Sequence, residues 1–355
     1  NLFFKKQNMK KKSLVAKKKI HKSLLKHLKN NKVNRVFSGF KNHLDGLIDQ
    51  KNTIGVAISG GPDSLALAFL TKCYLLKNNL RAKFFIVDHG LRKESSKEAK
   101  NVKLTLKKFD ISCTILKWRG NKPNSNIQSI ARNARYKLLK NACIRRNIKN
   151  ILVGHHIDDL YENFFIRLLR GSGLKGLSSF GETIKDKDNF LILRPLIKFQ
   201  KKELTYISSL VFNFFIKDPS NANLFFKRIR VRKLISDLYK EGLDIKKLDL
   251  TIKNLKIAND SINFYVKKNI KNNTKLVKNK RMIILNENFF EQSQEILFRS
   301  VSEVLQKISG RYYSPRGKSI YHSILKMKSL KCKKFTLGGC FVEKINKTVF
   351  ITREI

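Results

Sequence analysis

Short apolar runs alternate with helical apolar stripes over the first two thirds of the chain. The runs predict buried strands, and apolar side chains spaced by three or four residues predict amphipathic helices. The predicted strands are 54–58, 83–87, 111–116, 151–154 and 190–193. The predicted helices are 40–48, one from Ser64, 94–109, one from Ser125, 158–170 and 201–210. This alternation predicts a parallel sheet covered by helices on both faces.

The helix at residue 125 has its own start signal. Ser125-Asn126-Ile127-Gln128 forms a capping box, in which the Ser and Gln side chains bond to each other's backbone amides. We expect the apolar side chains of the following turns to face the sheet. This predicted inner face comprises Ile127, Ile130, Ala131, Ala134 and Leu138.

The pattern changes beyond Asp218-Pro219-Ser220. Residues 223–270 are predicted to be helical and basic, and 271–280 is predicted to be a polar linker. One more helix around 297–308 and a hairpin that turns near Asn346 follow, with strands at 335–344 and 348–352. The predicted regions are a basic N-terminal arm at 1–37, an α/β domain at 38–217, a basic helical region at 218–275 and a small α+β module at 276–355.

The excess of positive charge points to a polyanionic partner. The 355 residues include 76 Lys and Arg against 26 Asp and Glu, which gives a formal net charge of +50. Lys, Asn, Ile and Phe are abundant throughout, as an AT-biased genome would produce, and this bias explains part of the excess. The remainder favours nucleic acid over a membrane surface or a neutral metabolite.

Cysteine spacing and hydropathy exclude several kinds of site. The five cysteines form no Cys-x-x-Cys pair, which argues against zinc fingers, redox pairs and cysteine-bound clusters and suits free thiols in a reducing cytoplasm. Lys72 interrupts the longest apolar run, so we expect no membrane span. Residues 1–35 contain no acidic residue and suit an organelle-targeting arm or, more often, a solvated or RNA-touching arm, with Met9 as a candidate start.

A glycine-rich turn after the first predicted strand is the most informative stretch. Ser59-Gly60-Gly61-Pro62-Asp63-Ser64 leads directly into a helix. Backbone N–H groups at such a helix N-terminus bind phosphate, and the two serine hydroxyls add donors. No Gly-Lys-Ser/Thr follows, so the turn is not a P-loop. Taken alone, it fits a phosphate site and a structural turn equally.

Titratable residues follow two other predicted strands. Asp88-His89 comes after the second strand, where Asp88 either caps the next helix or orients magnesium or a ribose. Gly154-His155-His156-Ile157-Asp158-Asp159, with Glu162, follows the fourth strand. Acids in a first helical turn also complement the helix dipole. So many ionisable groups in a chain with few acids nevertheless favour a site.

Three basic segments remain, and each leaves two interpretations open. Gln128, Arg132 and Arg135 share a polar stripe that is either solvated or clamps phosphate. The turn 170–176, Arg-Gly-Ser-Gly-Leu-Lys-Gly, is either a helix C-cap or a flexible segment that closes over a substrate. Residues 225–232 interleave Phe with Arg, as a solvated basic element or as an RNA contact.

Taken together and in this order, these segments resemble the tRNA(Ile)-lysidine synthetase family of the PP-loop ATP pyrophosphatase superfamily. The Ser-Gly-Gly-x-Asp-Ser turn identifies only the superfamily, whereas Asp-His-x-Leu-Arg, His-x-x-Asp-Asp and Arg-Gly-Ser-Gly are more specific. The matching segments span 53–232. They also include 128–136, Arg194-Pro195-Leu196 and Asp218–Asn221, and the end of the chain resembles the family's C-terminal module at Phe335–Cys340 and Arg353-Glu354.

The resemblance implies a doubly wound α/β domain of the adenine nucleotide alpha hydrolase-like type that acts as a tRNA-modifying ligase. ATP would adenylate the base carbonyl of the wobble cytidine in an isoleucine tRNA with a CAU anticodon, and the amine of free lysine would then displace AMP to form lysidine. The regions 218–275 and 276–355 would contact the tRNA. We expect a cytoplasmic enzyme with no membrane partner, and a homodimer.

The expected residue roles rest on this resemblance and fall into three sets. ATP binding is assigned to Ser59, Gly60, Gly61, Pro62, Asp63, Ser64, Asp88 and His89. Catalysis is assigned to Asp63, Arg132, His155 and Asp159, of which Asp63 and Asp159 also hold magnesium. Substrate and tRNA binding are assigned to Arg135, Asp158, Glu162, Arg170, Ser172, Arg228, Arg230 and Arg232. Either Asp158 or Asp159 would bind the lysine ammonium and later take a proton.

The sequence departs from the family pattern at three positions, and other functions compete. The family often continues Asp-Asp-Gln-x-Glu-Thr, whereas Leu160 and Asn163 stand here, and Ile229 stands where many members carry Asn. A tRNA thiolase of the same superfamily is the main alternative, although thiolases usually need paired cysteines. A small-molecule amidating ligase fits the strong basic charge poorly. A non-catalytic RNA-binding protein would not need the acid–histidine cluster.

Overall fold

The central parallel sheet predicted from the sequence is present. In the computed structural model the described residues are 15–48, 52–120, 127–181, 183–185, 189–216, 225–277, 282–311, 313–329 and 334–354. The strands are β1 (Ile54–Ile58), β2 (Ala82–Asp88), β3 (Cys113–Lys117), β4 (Asn150–Leu152), β5 (Thr183–Lys185), β6 (Leu191–Leu193), β7 (Thr274–Val277), β8 (Met282–Leu285), β9 (Lys334–Leu337), β10 (Cys340–Ile345) and β11 (Thr348–Arg353).

Helices connect these strands. They are α1 (15–26), α2 (Asn31–Asp45), α3 (Pro62–Asn78), α4 (Ser95–Lys108), α5 (Ile127–Ile144), α6 (Ile157–Leu168), α7 (Leu174–Leu177), α8 (Lys201–Phe212), α9 (Lys227–Lys240), α10 (Ile245–Asn273), α11 (Gln294–Ser309) and α12 (Gly317–Lys328). Short 3-10 turns cover His27–Lys29 and Glu287–Phe290. The capping box at 125 and the motif Asp218–Asn221 lie outside the described residues.

The chain divides into two compact units. One contains the chain up to Ser172 together with Phe180–Leu243, and the other contains Gly173–Ser179 and the residues from Asp244 onward. This division differs from the predicted regions, because the first part of the predicted basic helical region, α9, belongs to the first unit.

Strand order in the first unit creates a crevice beyond the ends of β1 and β4. The order is β3-β2-β1-β4-β6-β5, so β1 lies between β2 and β4 while the chain runs outward in both directions from it. All of these strands are parallel except β5, which pairs antiparallel to β6 at the edge. Ligands bind where the strand order reverses, beyond the carboxyl ends of the strands. The turns after β1 and β4 meet at that point.

The predicted N-terminal arm is wrong over its described part. Helices α1 and α2 replace it from residue 15, and α2 starts nine residues before the predicted helix at 40. Leu24, Val33 and Val36 are buried in the core of the first unit. Leu24 lies four residues before buried Leu28, and Val33 lies three residues before Val36. The exposed lysines between them masked this apolar helical stripe in the sequence.

The predicted inner face of α5 is also partly wrong. Ala131 is buried, but Ile127 and Ile130 are exposed, and the buried stripe continues through Leu139, Ala142 and Cys143. The edge strand β5 was missed because its three residues are all exposed and carry no apolar pattern.

The second unit pairs an antiparallel sheet with helices. Its strand order is β7-β8-β11-β10-β9, and α11 packs its apolar face onto the core. The hairpin at Asn346 is confirmed, but the predicted strand 335–344 is two strands that turn at Gly338 and Gly339, both with positive φ. The predicted linker is wrong through Val277, because it contains the end of α10 and β7. Helix α12 and strand β8 were not predicted.

Two expectations about the chain's chemistry can be compared with the described residues. No described helix combines the length and apolarity that a bilayer span requires. The four described cysteines are all free and buried, and Cys73 and Cys143 belong to apolar cores as predicted.

Candidate active site

The turn after β1 is held by the hydroxyl of Ser64. This oxygen accepts hydrogen bonds from the backbone N–H of Ser59 and of Gly60, each at 3.1 Å, and donates to the carbonyl of Gly61 at 3.0 Å. Helix α3 then begins with Gly61 as its N-cap and no side chain that caps its first amides. The N-terminus of α3 therefore presents a positive dipole end at the crevice.

Two glycines allow neighbouring groups to pack closely around this turn. Gly60 has φ +85°, and a Cβ there would lie 2.7 Å from side-chain atoms of both Val102 and Ile216. Gly154, just after β4, would place a Cβ 3.1 Å from the carbonyl oxygen of Asp63. The missing side chain at Gly154 brings the start of α6 against the start of α3.

His156 lies among three carboxylates at this junction. Its Nε2 is 3.6 Å from Asp63 Oδ2 and 3.6 Å from Asp159 Oδ2, and its Nδ1 is 3.3 Å from Asp158 Oδ2. Burial alone would lower the pKa of His156, but these carboxylates raise it to about 10. The buried imidazole is therefore a cation that holds the acids of two helices together.

The acids of α6 have different partners. Asp159 Oδ2 accepts the backbone N–H of His156 at 3.2 Å and so caps the helix, whereas Asp158 Oδ2 accepts the N–H of Lys201 at 2.8 Å at the start of α8. Burial would raise the pKa of both carboxyls, and His156 lowers it in each case. Both residues are therefore ionised at neutral pH.

The carboxylates of Asp159 and Glu162 bind arginines of α9. Arg228 bridges the two acids, and Arg232 binds the other oxygen of Glu162. Glu162 is only 3% exposed, so these contacts satisfy a buried charge. Arg228 and Arg232 thus bind the acid cluster while part of each side chain stays exposed. Exposed Arg230 donates to the carbonyl of Phe225.

Asp88 is bound to the start of α4. Its carboxylate accepts hydrogen bonds from the hydroxyls of Ser95 and Ser96, at 2.9 and 2.5 Å, and from the N–H of Gly90 at 3.0 Å. Burial opposes ionisation, but these donors lower the pKa of Asp88. These donors are two hydroxyls and the amide of Gly90 rather than the first backbone amides of α4, so Asp88 joins the end of β2 to α4 without capping the helix.

His89 and the arginines of α5 line the next part of the crevice. His89 Nε2 accepts a hydrogen bond from Arg135 Nε at 3.2 Å, and burial followed by Arg135 lowers the pKa of His89 to about 4. Arg132 is exposed and lies over the ring of Tyr136, 5.1 Å from its centroid. His89 is therefore neutral, and Arg132 presents its charge to solvent.

His155 is held by a buried arginine. Arg194, 2% exposed, donates from Nε to His155 Nδ1 at 3.1 Å, and its guanidinium lies 4.1 Å from the centre of the Phe180 ring. Burial lowers the pKa of His155 to about 3, although Asp159 opposes the shift. His155 precedes α6, so it does not share a helical face with Asp159.

Two predicted residues lie away from this cluster. Arg170 is exposed, and the N–H of Ser172 bonds to the carbonyl of Arg167 in a turn where Gly171 has φ +67°. This is the C-cap alternative for the glycine-rich turn. Helix α6 has 12 residues, so these positions are about 18 Å from the acids at its other end.

Sequence reasoning gave no role to His156 or Arg194, although both lie in quoted motifs. His156 stands between residues that were assigned roles. Arg194 follows a short strand, and nothing in its neighbours indicates that it would be buried. For magnesium, no group of three or more described side chains is placed to hold a metal by itself. Asp63 nevertheless offers a buried Oδ1 without a hydrogen-bond partner, and carboxylate oxygen is the donor that magnesium prefers.

Comparisons with known proteins give the family. A family model described as a PP-loop domain matches residues 25–238. The chain is 33% identical to a tRNA(Ile)-lysidine synthase of Wolbachia pipientis wMel over 325 residues, covering 89% of this chain and 74% of that protein. It is also 33% identical to the one of Orientia tsutsugamushi over 316 residues, covering 87% and 71%.

A solved structure is similar in fold. The U34-tRNA thiolase of Methanococcus maripaludis superposes with a TM-score of 0.53 at 17% identity, covering 65% of this chain and 79% of that one. The family match, the long alignments to curated relatives and the glycine-rich turn beside the acid–arginine cluster agree. The chain belongs to the tRNA(Ile)-lysidine synthase family of PP-loop proteins.

Proposed function

We propose that this protein uses ATP to activate the wobble cytidine of an isoleucine tRNA with a CAU anticodon and joins lysine to it. The base carbonyl oxygen attacks the α-phosphorus of ATP, and the bond to pyrophosphate breaks. The amine of lysine then attacks the activated ring carbon, loses a proton, and AMP leaves. Family membership supports this reaction, and the observation that carries it is the α3 N-terminus placed against the acids of α6.

The turn Ser59–Ser64 is proposed to hold the pyrophosphate. As the N-cap, Gly61 begins α3 without a side chain over the first amides, and the dipole of α3 favours negative charge. Asp63 and Asp159 would hold magnesium, which neutralises phosphate charge when bound and which commonly uses one or two carboxylates together with substrate phosphates. The orphaned Oδ1 of Asp63 supports this assignment.

Cationic side chains near the turn are proposed to stabilise the charge that develops on the phosphates. Arg132 is exposed and lies over the ring of Tyr136, and Arg135 donates to neutral His89. Preorganised arginines of this kind stabilise transition states of phosphate chemistry. Either Asp158 or Asp159 is proposed to bind the lysine ammonium, and the arginine contacts of Asp159 and Glu162 are consistent with a cation beside these acids.

The basic charge is proposed to bind the tRNA backbone in the cytoplasm, with 218–275 and 276–355 as contact regions. Phosphate contacts release counterions, so affinity for tRNA should fall steeply as salt increases. A homodimer remains a prediction that gel filtration with light scattering would test.

One assay tests the reaction and its specificity. The protein is incubated with ATP, labelled lysine and CAU-anticodon isoleucine tRNA, and both labelled RNA and pyrophosphate are measured. Initiator methionine tRNA, which shares the anticodon, is the matched control. Equal labelling of the two tRNAs would contradict the specificity, and pyrophosphate release without labelled RNA would contradict lysine as the nucleophile. The thiolase alternative predicts sulfur transfer, but burial raises the thiol pKa of Cys73, Cys113 and Cys143 to about 12.

A further inference from the structure

We propose that Arg194 is a positioning residue that commits His155 to act as a hydrogen-bond donor through Nε2 during base activation. The identity of the acceptor rests on the proposed function, because the oxygens available there belong to the α-phosphate of ATP and to the base carbonyl. The arrangement of the two side chains is a property of the free protein.

Neighbouring strands bring these two residues together. Leu152 of β4 pairs with Leu193 of β6, and the N–H of Val153 bonds to the carbonyl of Leu193 at 2.9 Å. Arg194 and His155 leave the ends of these strands side by side. The sheet register therefore fixes their separation, and no loop has to fold back to create the contact.

Three contacts fix the guanidinium of Arg194. Nε donates to His155 Nδ1 at 3.1 Å, Nη1 donates to the carbonyl of Gly181 at 2.5 Å, and the ring of Phe180 covers the guanidinium at 4.1 Å. The Phe180 ring also meets the His155 ring edge-on, with 5.7 Å between centroids. A planar group held at both ends and across its face can present Nε in only one direction.

This geometry determines the tautomer of His155. Arginine has donors and no acceptor, so His155 Nδ1 must accept through its lone pair, and a neutral imidazole then carries its proton on Nε2. The charged groups that face His155 are Asp159 on α6, Arg132 on α5, Arg228 on α9 and Arg194 itself. Burial and this mostly cationic surrounding keep the pKa of His155 at about 3, so the ring stays neutral.

This tautomer limits the catalytic role that the sequence assigned to His155. A ring whose Nδ1 is occupied and whose Nε2 carries the proton cannot take a proton from the lysine amine. It can donate to an oxygen on which negative charge develops, beside the cations of Arg132 and Arg228. His155 is therefore assigned to stabilise that oxygen.

Two substitutions at His155 distinguish a donor from a base. His155→Gln places an amide N–H near the position of Nε2, whereas His155→Asn reaches only the position of Nδ1. We expect His155→Gln to retain kcat within about 10-fold and His155→Asn to lose about 100-fold or more, the usual cost of one missing donor. Equal losses in the two variants would overturn the donor role.

Nitrogen NMR of histidine-labelled protein tests the role of Arg194 without the reaction. The chain has seven histidines, and the signal that disappears in His155→Gln identifies His155. In the unsubstituted protein we expect the Nδ1 of His155 to be unprotonated and the Nε2 to be protonated. In Arg194→Met we expect the ring to exchange between its two tautomers, so that both nitrogens give averaged signals, and the pKa of the ring to move closer to neutral pH. A protonated Nδ1 in the unsubstituted protein would overturn the inference even if Arg194→Met fails to fold.

The kinetics of the Arg194 variants complete the test. Arg194→Met should lower kcat for lysidine formation while leaving the KM for ATP within about twofold, and Arg194→Lys, which keeps a donor, should recover part of kcat. An unchanged kcat in Arg194→Met would contradict the positioning role. If the unsubstituted protein forms no lysidine, the proposed function fails, while the NMR result still decides the tautomer.

Discussion

Alanine at Gly60 should destabilise the protein more than alanine at another glycine that also has a positive φ. Gly60 has φ +85°, and its Cβ would lie 2.7 Å from Val102 and Ile216. Gly171 has φ +67° with nothing within 4 Å of its Cβ, so Gly171→Ala measures the backbone strain alone.

The two effects can be separated in magnitude. A left-handed backbone costs an alanine about 1–2 kcal/mol. Forcing a methyl group into packed side chains adds about 1–3 kcal/mol, because Val102 is fully buried and can move little. We therefore expect a loss of about 1–2 kcal/mol for Gly171→Ala and about 2–5 kcal/mol for Gly60→Ala.

Thermal unfolding is the measurement, at about 2–4 °C per kcal/mol for a unit of this size. Gly61→Ala provides a functional contrast, since its Cβ would meet only Ser59 Oγ at 3.7 Å. That variant should unfold within about 0.5 kcal/mol of the unsubstituted protein but bind ATP more weakly by calorimetry. Equal melting temperatures for Gly60→Ala and Gly171→Ala would refute the packing argument, and unchanged ATP affinity in Gly61→Ala would refute the phosphate turn.

Three further predictions concern the charged cluster. Glu162→Gln should lower the free energy of unfolding by about 2 kcal/mol, less than for a fully buried ion pair because the arginines that bind Glu162 are partly exposed. The surface control Asp237→Asn should lower it by less than about 0.5 kcal/mol. Equal denaturant midpoints for the two variants would contradict this prediction. The pKa of His156 is raised, so its contribution to stability is complete below about pH 6.5 and is lost as pH rises towards about 10. The melting temperature of the unsubstituted protein should therefore fall over this range, and the fall should be smaller in His156→Gln. Parallel curves of melting temperature against pH for the two proteins would contradict this prediction. Asp63→Asn should lower magnesium-dependent pyrophosphate release by about 100-fold, and it should also lower the melting temperature because it removes one carboxylate beside His156. An unchanged magnesium requirement would remove Asp63 from the metal site.

Local sequence determined the alternation of strands and helices and the turn Ser59–Ser64. The reason is that burial periodicity, glycine conformations and serine hydrogen bonds within the turn act over a few residues. The resemblance to PP-loop enzymes rested on the same short segments. The N-terminal helices were not predicted before residue 40, because their narrow buried apolar stripe is surrounded by many lysines and other polar residues.

Tertiary structure decided how the polar residues of the site are paired. Glu162 is buried because Arg228 and Arg232 arrive from a helix that is more than 60 residues away in the chain. His156 is a cation because α3 and α6 bring three carboxylates to it, and Arg194 is buried because β6 ends beside β4. The free energy of a buried charge depends on partners in space, and spacing along one segment cannot reveal partners that only strand order and helix packing supply.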